Sequence, residues 1–269
     1  MMTKKLYGIL LMLIIATVSL SAFAQDVPGY VVISKYHFDL SGDGTFADWR
    51  KGEKEYYDKV TAKNEAIMGG VVLVHYYTPD NTEVLFINAY KNWDDIEKAV
   101  TRNNELEKSA WPDSAQRRAG GQKAQSYYTK MHSDEIMTPI AMRKPLPMDT
   151  VSRVYYFRTS HFSFPTDGKN GELRDLMNEY HTNVTMKNSL LKGYYPMRHL
   201  YGSDGREFVE VFVYDSLSDL EKSAEENQKL AAAHWPDASA RNAFFDKVGK
   251  YIEPWHGDAI YRSVSGLRK

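Results

Sequence analysis

Short apolar runs and longer amphipathic stretches follow one another along this chain in an order that occurs twice. Tyr30 to Phe38 (YVVISKYHF) is rich in β-branched and aromatic residues and is predicted to be a strand. After a turn at Gly42 and Gly44, Phe46 to Ile67 is predicted to be helical. Its later counterpart shows the period better, because Leu173, Leu176, Met177, Tyr180, Val184 and Leu191 fall on one apolar stripe. Gly69-Gly70 and Gly193 punctuate the ends of these two helices. Val71 to Thr78 and Glu83 to Tyr90 then flank Pro79-Asp80-Asn81, a hairpin signal. Trp93 to Trp111 has helical spacing, Asp113 caps a further short helix, and Asp134 to Ala141 is a final strand. The order is β-α-β-β-α-β.

A shift of 124 positions lays His75–Ile136 on His199–Ile260 without a gap. Trp111-Pro112-Asp113 falls on Trp235-Pro236-Asp237, Asn103 on Asn227, and Lys63-Asn64 on Lys187-Asn188. Register held over such a length is the signature of an internal duplication, with a period close to that of a small domain. Two units are expected, at 27–141 and 152–264, joined by a Pro-rich linker at 142–151. Each has the split βαβ order of the ferredoxin-like fold. A four-stranded sheet with helices on one face leaves the other face bare. The expected fold class is therefore α+β, with two ferredoxin-like repeats packed sheet to sheet as one pseudo-two-fold barrel inside a single chain, so that a monomer suffices.

Residues 1–24 read as a signal peptide. Lys4 and Lys5 precede the apolar run Leu6 to Leu20, and Ala22-Phe23-Ala24 is a small-x-small cleavage site. That run is short of the roughly 20 residues a membrane span needs, and no comparable run follows. The expectation is an exported protein, periplasmic or extracellular, that is not membrane-embedded. Cysteine is absent, which removes thiolate metal sites and thiol nucleophiles. A net charge of −1 offers no basic footprint for nucleic acid.

The passage Phe86 to Ala99 (FINAYKNWDDIEKA) and its counterpart Phe212 to Ser223 (FVYDSLSDLEKS) resemble the dimeric α+β barrel superfamily, in particular its antibiotic-biosynthesis-monooxygenase-like group. Members of that group usually pair as two chains; here the pair is fused. The resemblance implies a small-ligand-binding or monooxygenase-like barrel acting on an aromatic or quinone-like molecule. If it is an enzyme, it is a cofactor-independent oxidoreductase; the alternative is a non-catalytic binding or interaction domain. Haem-degrading relatives place a His on the helix after the third strand and an Asn on the first strand. This chain has Arg102-Asn103 and Glu226-Asn227 there, and its first strands contain no Asn. On this pattern no cofactor is required and haem is not expected.

Six of the eight histidines occupy three paired positions: His37 with His161, His75 with His199, and His132 with His256. The topology sends them to one rim, with Glu83, Glu207, Asp80, Asp204, Asp134 and Asp258. Imidazole with carboxylate suits a divalent transition metal, or general acid–base work; hydrogen bonding in polar turns is the other use. Edge strands of one sheet lie about 14 Å apart. A metal set would therefore have to form across the copies, His75 with His256 and His199 with His132, supported by Glu83 and Glu207. Ligand-binding candidates are His37, His75, His161, His199, Tyr77, Tyr201, Arg158 and Glu210. Strand tyrosines such as Tyr36, Tyr156 and Tyr195 would line or fill the barrel. The copies differ in polarity, with Ser34 against Arg158, Phe86 against Glu210 and Asn88 against Phe212. Such divergence suits one asymmetric ligand, and drift accounts for it as well. Asn103 and Asn227 lie on the apolar stripes of their helices and need hydrogen-bond partners there.

Overall fold

A computed structural model describes residues 27–202 and 204–269. The segment expected to be a signal peptide lies outside the described residues. The strands are β1 (Tyr30–Phe38), β2 (Gly69–Tyr77), β3 (Glu83–Tyr90), β4 (Tyr128–Pro139), β5 (Val154–His161), β6 (Gly193–Tyr201), β7 (Glu207–Tyr214) and β8 (Gly257–Arg268). Six α-helices lie among the described residues: α1 (Phe46–Lys59), α2 (Trp93–Ala110), α3 (Ser114–Gln125), α4 (Glu172–Tyr180), α5 (Leu217–His234) and α6 (Ala238–Gly249). The strands close into an antiparallel barrel in the order β1-β3-β2-β8-β5-β7-β6-β4. The first four run β4-β1-β3-β2 and the last four β8-β5-β7-β6, sealed to each other by the β2–β8 and β4–β6 ladders. No helix among the described residues is long and apolar enough to cross a membrane.

Helix ends follow local chemistry. The Asp113 carboxylate accepts from the Ala115 and Gln116 amides and starts α3, and Asp237 does the same for α6. The Arg117 guanidinium donates to the Trp111 and Pro112 carbonyls, and that of Arg241 to the Trp235 carbonyl. Trp-Pro-Asp is thus the device that ends one helix and begins the next.

Both predicted first helices are longer than those formed. The first stops at Lys59, and the second stops at Tyr180 and continues as a π-helical turn, His181–Thr185. A buried asparagine follows each. Asn64 Nδ2 donates to the Ala99 carbonyl at 2.8 Å and to Asn103 Oδ1 at 2.7 Å. Asn188 Nδ2 meets Ser223 Oγ at 2.8 Å and Asn227 Oδ1 at 2.7 Å. These amides pull the chain off the helix and pin it to α2 or α5. They also supply the partners that Asn103 and Asn227 require.

Strand alternation divides the apolar residues between two faces. Leu73, Leu85, Met137, Tyr155, Phe157, Met197, Val211, Val213 and Tyr261 point inward and pack as one core. The expected Pro-rich linker adds to it: Leu146 is buried in this core, its amide held by the Tyr195 hydroxyl at 2.8 Å. Lys144 pairs with Tyr194 through two backbone hydrogen bonds of 2.9 Å. The barrel interior is therefore filled. On the outward faces Val84 and Leu267 pack with Trp49 of α1, and Val154, Tyr194 and Tyr214 pack with Leu191, which precedes β6.

Candidate functional site

The rim histidines engage their own turns. His37 Nδ1 lies 2.9 Å from Asp80 Oδ2 and 3.1 Å from Thr82 Oγ1, and His161 Nε2 lies 3.4 Å from Asp204 Oδ2. His132 reaches Asp134 at 3.4 Å and stacks on Tyr36, while His256 reaches Asp258 at 3.0 Å. His75 bonds Thr78 at 2.7 Å. His199 Nδ1 is buried without a partner. Glu83 takes Lys35 at 3.0 Å and the Tyr261 hydroxyl at 2.9 Å, and Glu207 opens β7 opposite His161. Tyr77 and Tyr201 are exposed, the latter against Trp93.

Register explains why the expected metal set does not assemble. His75 stands opposite Tyr261 and His199 opposite Met137, each five residues along its partner strand from His256 or His132. Five residues of strand span about 16 Å. Among the described residues, no group of three or more His, Asp or Glu is placed to hold a metal ion. The expectation of a divalent metal at this rim is corrected accordingly.

A cavity lies between the outward face of β5, β6 and β7 and helices α4 to α6, and His256 is among the residues that line it. Its volume is about 660 Å³, within the usual range for small-molecule and cofactor sites. Leu176, Met177, Tyr180, Phe244 and Phe245 form the helix wall; Tyr156, Tyr194, Phe212 and Tyr214 form the sheet wall. The matching space in the first half is about 160 Å³. Side-chain size accounts for the difference. Trp49 and Tyr128 occupy the positions matched by Leu173 and Ile252, and the Trp49 indole donates to the Tyr128 hydroxyl at 2.6 Å. In the second half Trp235 packs at a tilt against Phe244, ring centres 4.2 Å apart, holding that ring as a wall where the first half has Gly120.

A few polar groups interrupt this apolar lining. Arg158 Nε and Nη2 both donate to Glu210 Oε2, at 2.9 and 2.5 Å, and the Tyr194 hydroxyl donates to Glu210 Oε1 at 2.7 Å. Burial disfavours the Arg158 charge, and the Glu210 carboxylate more than offsets it, so the guanidinium stays protonated. Burial, and then Glu210, hold the Tyr194 phenol well above its ordinary range. Arg158 lies 5.2 Å from the centre of the Phe212 ring, on which Tyr156 stacks.

His181, in the π-helical turn, also lines the cavity. Its Nδ1 is buried without a partner. Burial, helped by the Lys144 charge, lowers its pKa, favouring the neutral imidazole. Sequence reasoning singled out Arg158 and Glu210 as ligand-binding candidates; they face outward under the helices. It passed over His181, Tyr194 and the Phe244-Phe245 wall. The available signal was asymmetry, because His181 is matched by Tyr57 and Tyr194 by Gly70.

No protein-family model matches the chain, and no curated protein matches its sequence. Solved structures do share its fold. A Fusobacterium nucleatum protein provisionally named a monooxygenase superposes with a TM-score of 0.54 at 9% identity, covering 89% of this chain and 93% of its own. An anthrone oxidase-like protein gives 0.51 at 15% identity, with 89% and 93% covered. A chlorite dismutase from Candidatus Nitrospira defluvii gives 0.51 at 11% identity, with 90% and 94% covered. Such identities speak to fold alone: the chain is an α+β barrel of the kind seen in monooxygenase-like and chlorite dismutase-like proteins. The expectation that haem is unsuited to this chain is also corrected, because chlorite dismutases share the fold. Missing residues of one haem-degrading pattern do not exclude haem from such a barrel.

Proposed function

We propose that the chain is a fused pair of ferredoxin-like repeats of which only the second keeps a working ligand site, and that this site takes a flat, aromatic or quinone-like molecule. The observation that carries the reading is the one-sided cavity. Its aromatic walls and the Arg158–Glu210 ion pair suit a planar ligand held by stacking and oriented by a few polar atoms. The fold, shared with proteins named for monooxygenase and anthrone oxidase-like activity, supports an oxidoreductase acting on such a ligand. Lys4, Lys5 and the apolar run after them support export, and a barrel completed within one chain supports a monomer. The test combines oxygen uptake with binding titrations against quinols and polycyclic phenols. Binding without uptake would make the protein a carrier. No binding, or binding unaffected when Met177→Trp fills the cavity, would end the reading.

A second reading has its own observation, the unpartnered imidazole of His181. Haem fits the residues present: a neutral His at the wall, aromatic surfaces on both sides, and Arg158 for an acidic substituent. His181 would hold the iron, and the group would supply one-electron and oxygen chemistry. Adding hemin to the purified protein should then give a sharp Soret band that His181→Ala abolishes; a spectrum unchanged by that substitution would remove haem from consideration.

A further inference from the structure

Arg158 is paired through only one of its edges. Nε and Nη2 share a single oxygen of Glu210, which is the side-on arrangement. Both hydrogens of Nη1 and the second of Nη2 remain, and one from each nitrogen together forms the end-on fork of the guanidinium. Among the described residues no acceptor meets Nη1. The side chain keeps 38% of its surface accessible although it lies beneath the helices, because it borders the cavity. Glu210 is closed on both oxygens, with Arg158 on one and Tyr194 on the other, and keeps 9% of its side-chain surface. The carboxylate thus fixes the guanidinium by one edge and leaves the other without a protein acceptor, on a side chain that borders the cavity.

That edge has a specific chemistry. Two parallel N–H groups match two oxygens spaced as in a carboxylate or in neighbouring hydroxyl and ketone groups, and they bind such a pair better than a single carbonyl. Phe212 lies against the guanidinium and Tyr156 stacks on Phe212, so a ring continuing from those oxygens meets an aromatic surface. The first half offers neither feature, with Ser34 and Asn88 at the matching positions.

We infer that the ligand of the second-half cavity is a planar aromatic molecule carrying two adjacent oxygens, one of them ionised, gripped by the free fork of Arg158. This rests on the cavity reading above and narrows it. Arg158 is a specificity-determining contact, and Glu210 with Tyr194 positions it.

The experiment compares two probes by fluorescence quenching on the wild-type protein, 2-hydroxy-1,4-naphthoquinone and 1,4-naphthoquinone, which lacks the hydroxyl oxygen next to a carbonyl. A charge-assisted hydrogen bond implies a preference of about tenfold or more for the hydroxylated probe. Arg158→Lys keeps the charge and removes the fork. It should lower the affinity for the hydroxylated probe by about tenfold or more, and so erase that preference. Equal affinities in the wild type would overturn this inference and leave the cavity reading standing. Binding of neither probe would overturn both. A preference that survives in Arg158→Lys would also overturn it, since another group would then be reading the second oxygen. The wild-type comparison needs no variant, so a poorly folded Arg158→Lys protein leaves a deciding result in hand.

Discussion

Asn188→Ala is expected to be among the most damaging single substitutions in this protein, although it removes little apolar surface. The side chain is fully buried. Its Nδ2 donates to the Ser223 carbonyl and hydroxyl at 3.2 and 2.8 Å and to Asn227 Oδ1 at 2.7 Å. Its Oδ1 accepts from the Leu190 and Leu191 amides at 3.0 and 3.3 Å. Alanine would strand two backbone N–H groups and the Asn227 amide oxygen beneath α5, where each unpaired group costs about 1–3 kcal/mol. Water can enter the space vacated and recover part of this, so the expected loss is about 3–4 kcal/mol. In urea denaturation the midpoint should fall by about 1–2 M with an unchanged slope, for a slope of about 2–3 kcal/mol/M. Asn188→Asp should be at least as harmful, because it sets a carboxylate oxygen against Asn227 Oδ1. Asn227→Ala, which deprives Asn188 of one acceptor among three, should cost only about 1 kcal/mol. A loss below about 1 kcal/mol for Asn188→Ala would refute the view that this amide network terminates the helix and docks it.

Further outcomes can be measured on the same preparations. Arg158→Met leaves Glu210 buried without its cation and should destabilise by about 2–3 kcal/mol, the lower end of the usual penalty because the guanidinium is partly accessible. Adding Glu210→Met removes the buried charge but leaves the Tyr194 hydroxyl unpaired, so it should restore only part of that loss in a thermal melt; an additive double variant would refute the coupling. Leu146→Ala should cost about 2–4 kcal/mol by opening a void in the barrel core, whereas a free-running linker would tolerate it. Hydrogen bonds from Arg153 hold Asp149 at about 2, below the roughly 3.9 of an unfolded chain. Its stabilisation is therefore complete above about pH 4 and lost as the pH falls towards 2. Arg153→Met should flatten that acid limb in pH-dependent denaturation, and an unchanged limb would show that other carboxylates cause it.

Strand order and the helices were legible because they rest on local pattern and on a register repeated along the chain. The apolar period, the glycines and the Asp caps act within a few residues, and the structure places its strands and helices accordingly. Helix length was not legible in the first and fourth helices. Asn64 and Asn188 interrupt the apolar stripe only weakly, and their partners lie 35 and 39 residues away. The histidine set failed for a different reason. Putting six histidines on one rim was a matter of topology, but joining them needed the β2–β8 and β4–β6 registers, which no nearby residue specifies. Arg158 and Glu210 stood out by polarity at strand positions. Whether they faced the barrel core or the helices depended on parity along the strand, and aromatic residues on both faces hid that. The cavity became visible only once the bulk of Trp49 and Tyr128 could be set against Leu173 and Ile252.

The closing ladder also sets a timetable. Tyr261 on β8 meets Glu83 across 178 residues of chain, and β8 is the strand that bridges β2 to β5. During synthesis the first four strands can pair among themselves long before residues 257–268 emerge, yet the outer edge of β2 then presents its hydrogen-bonding groups to any passing strand. Pairing across so long a separation is slow relative to local structure. A growing chain therefore spends most of its manufacture with one seam unstitched, and a ribosome that stalls before β8 releases a seven-stranded, unclosed sheet suited to aggregation rather than to repair.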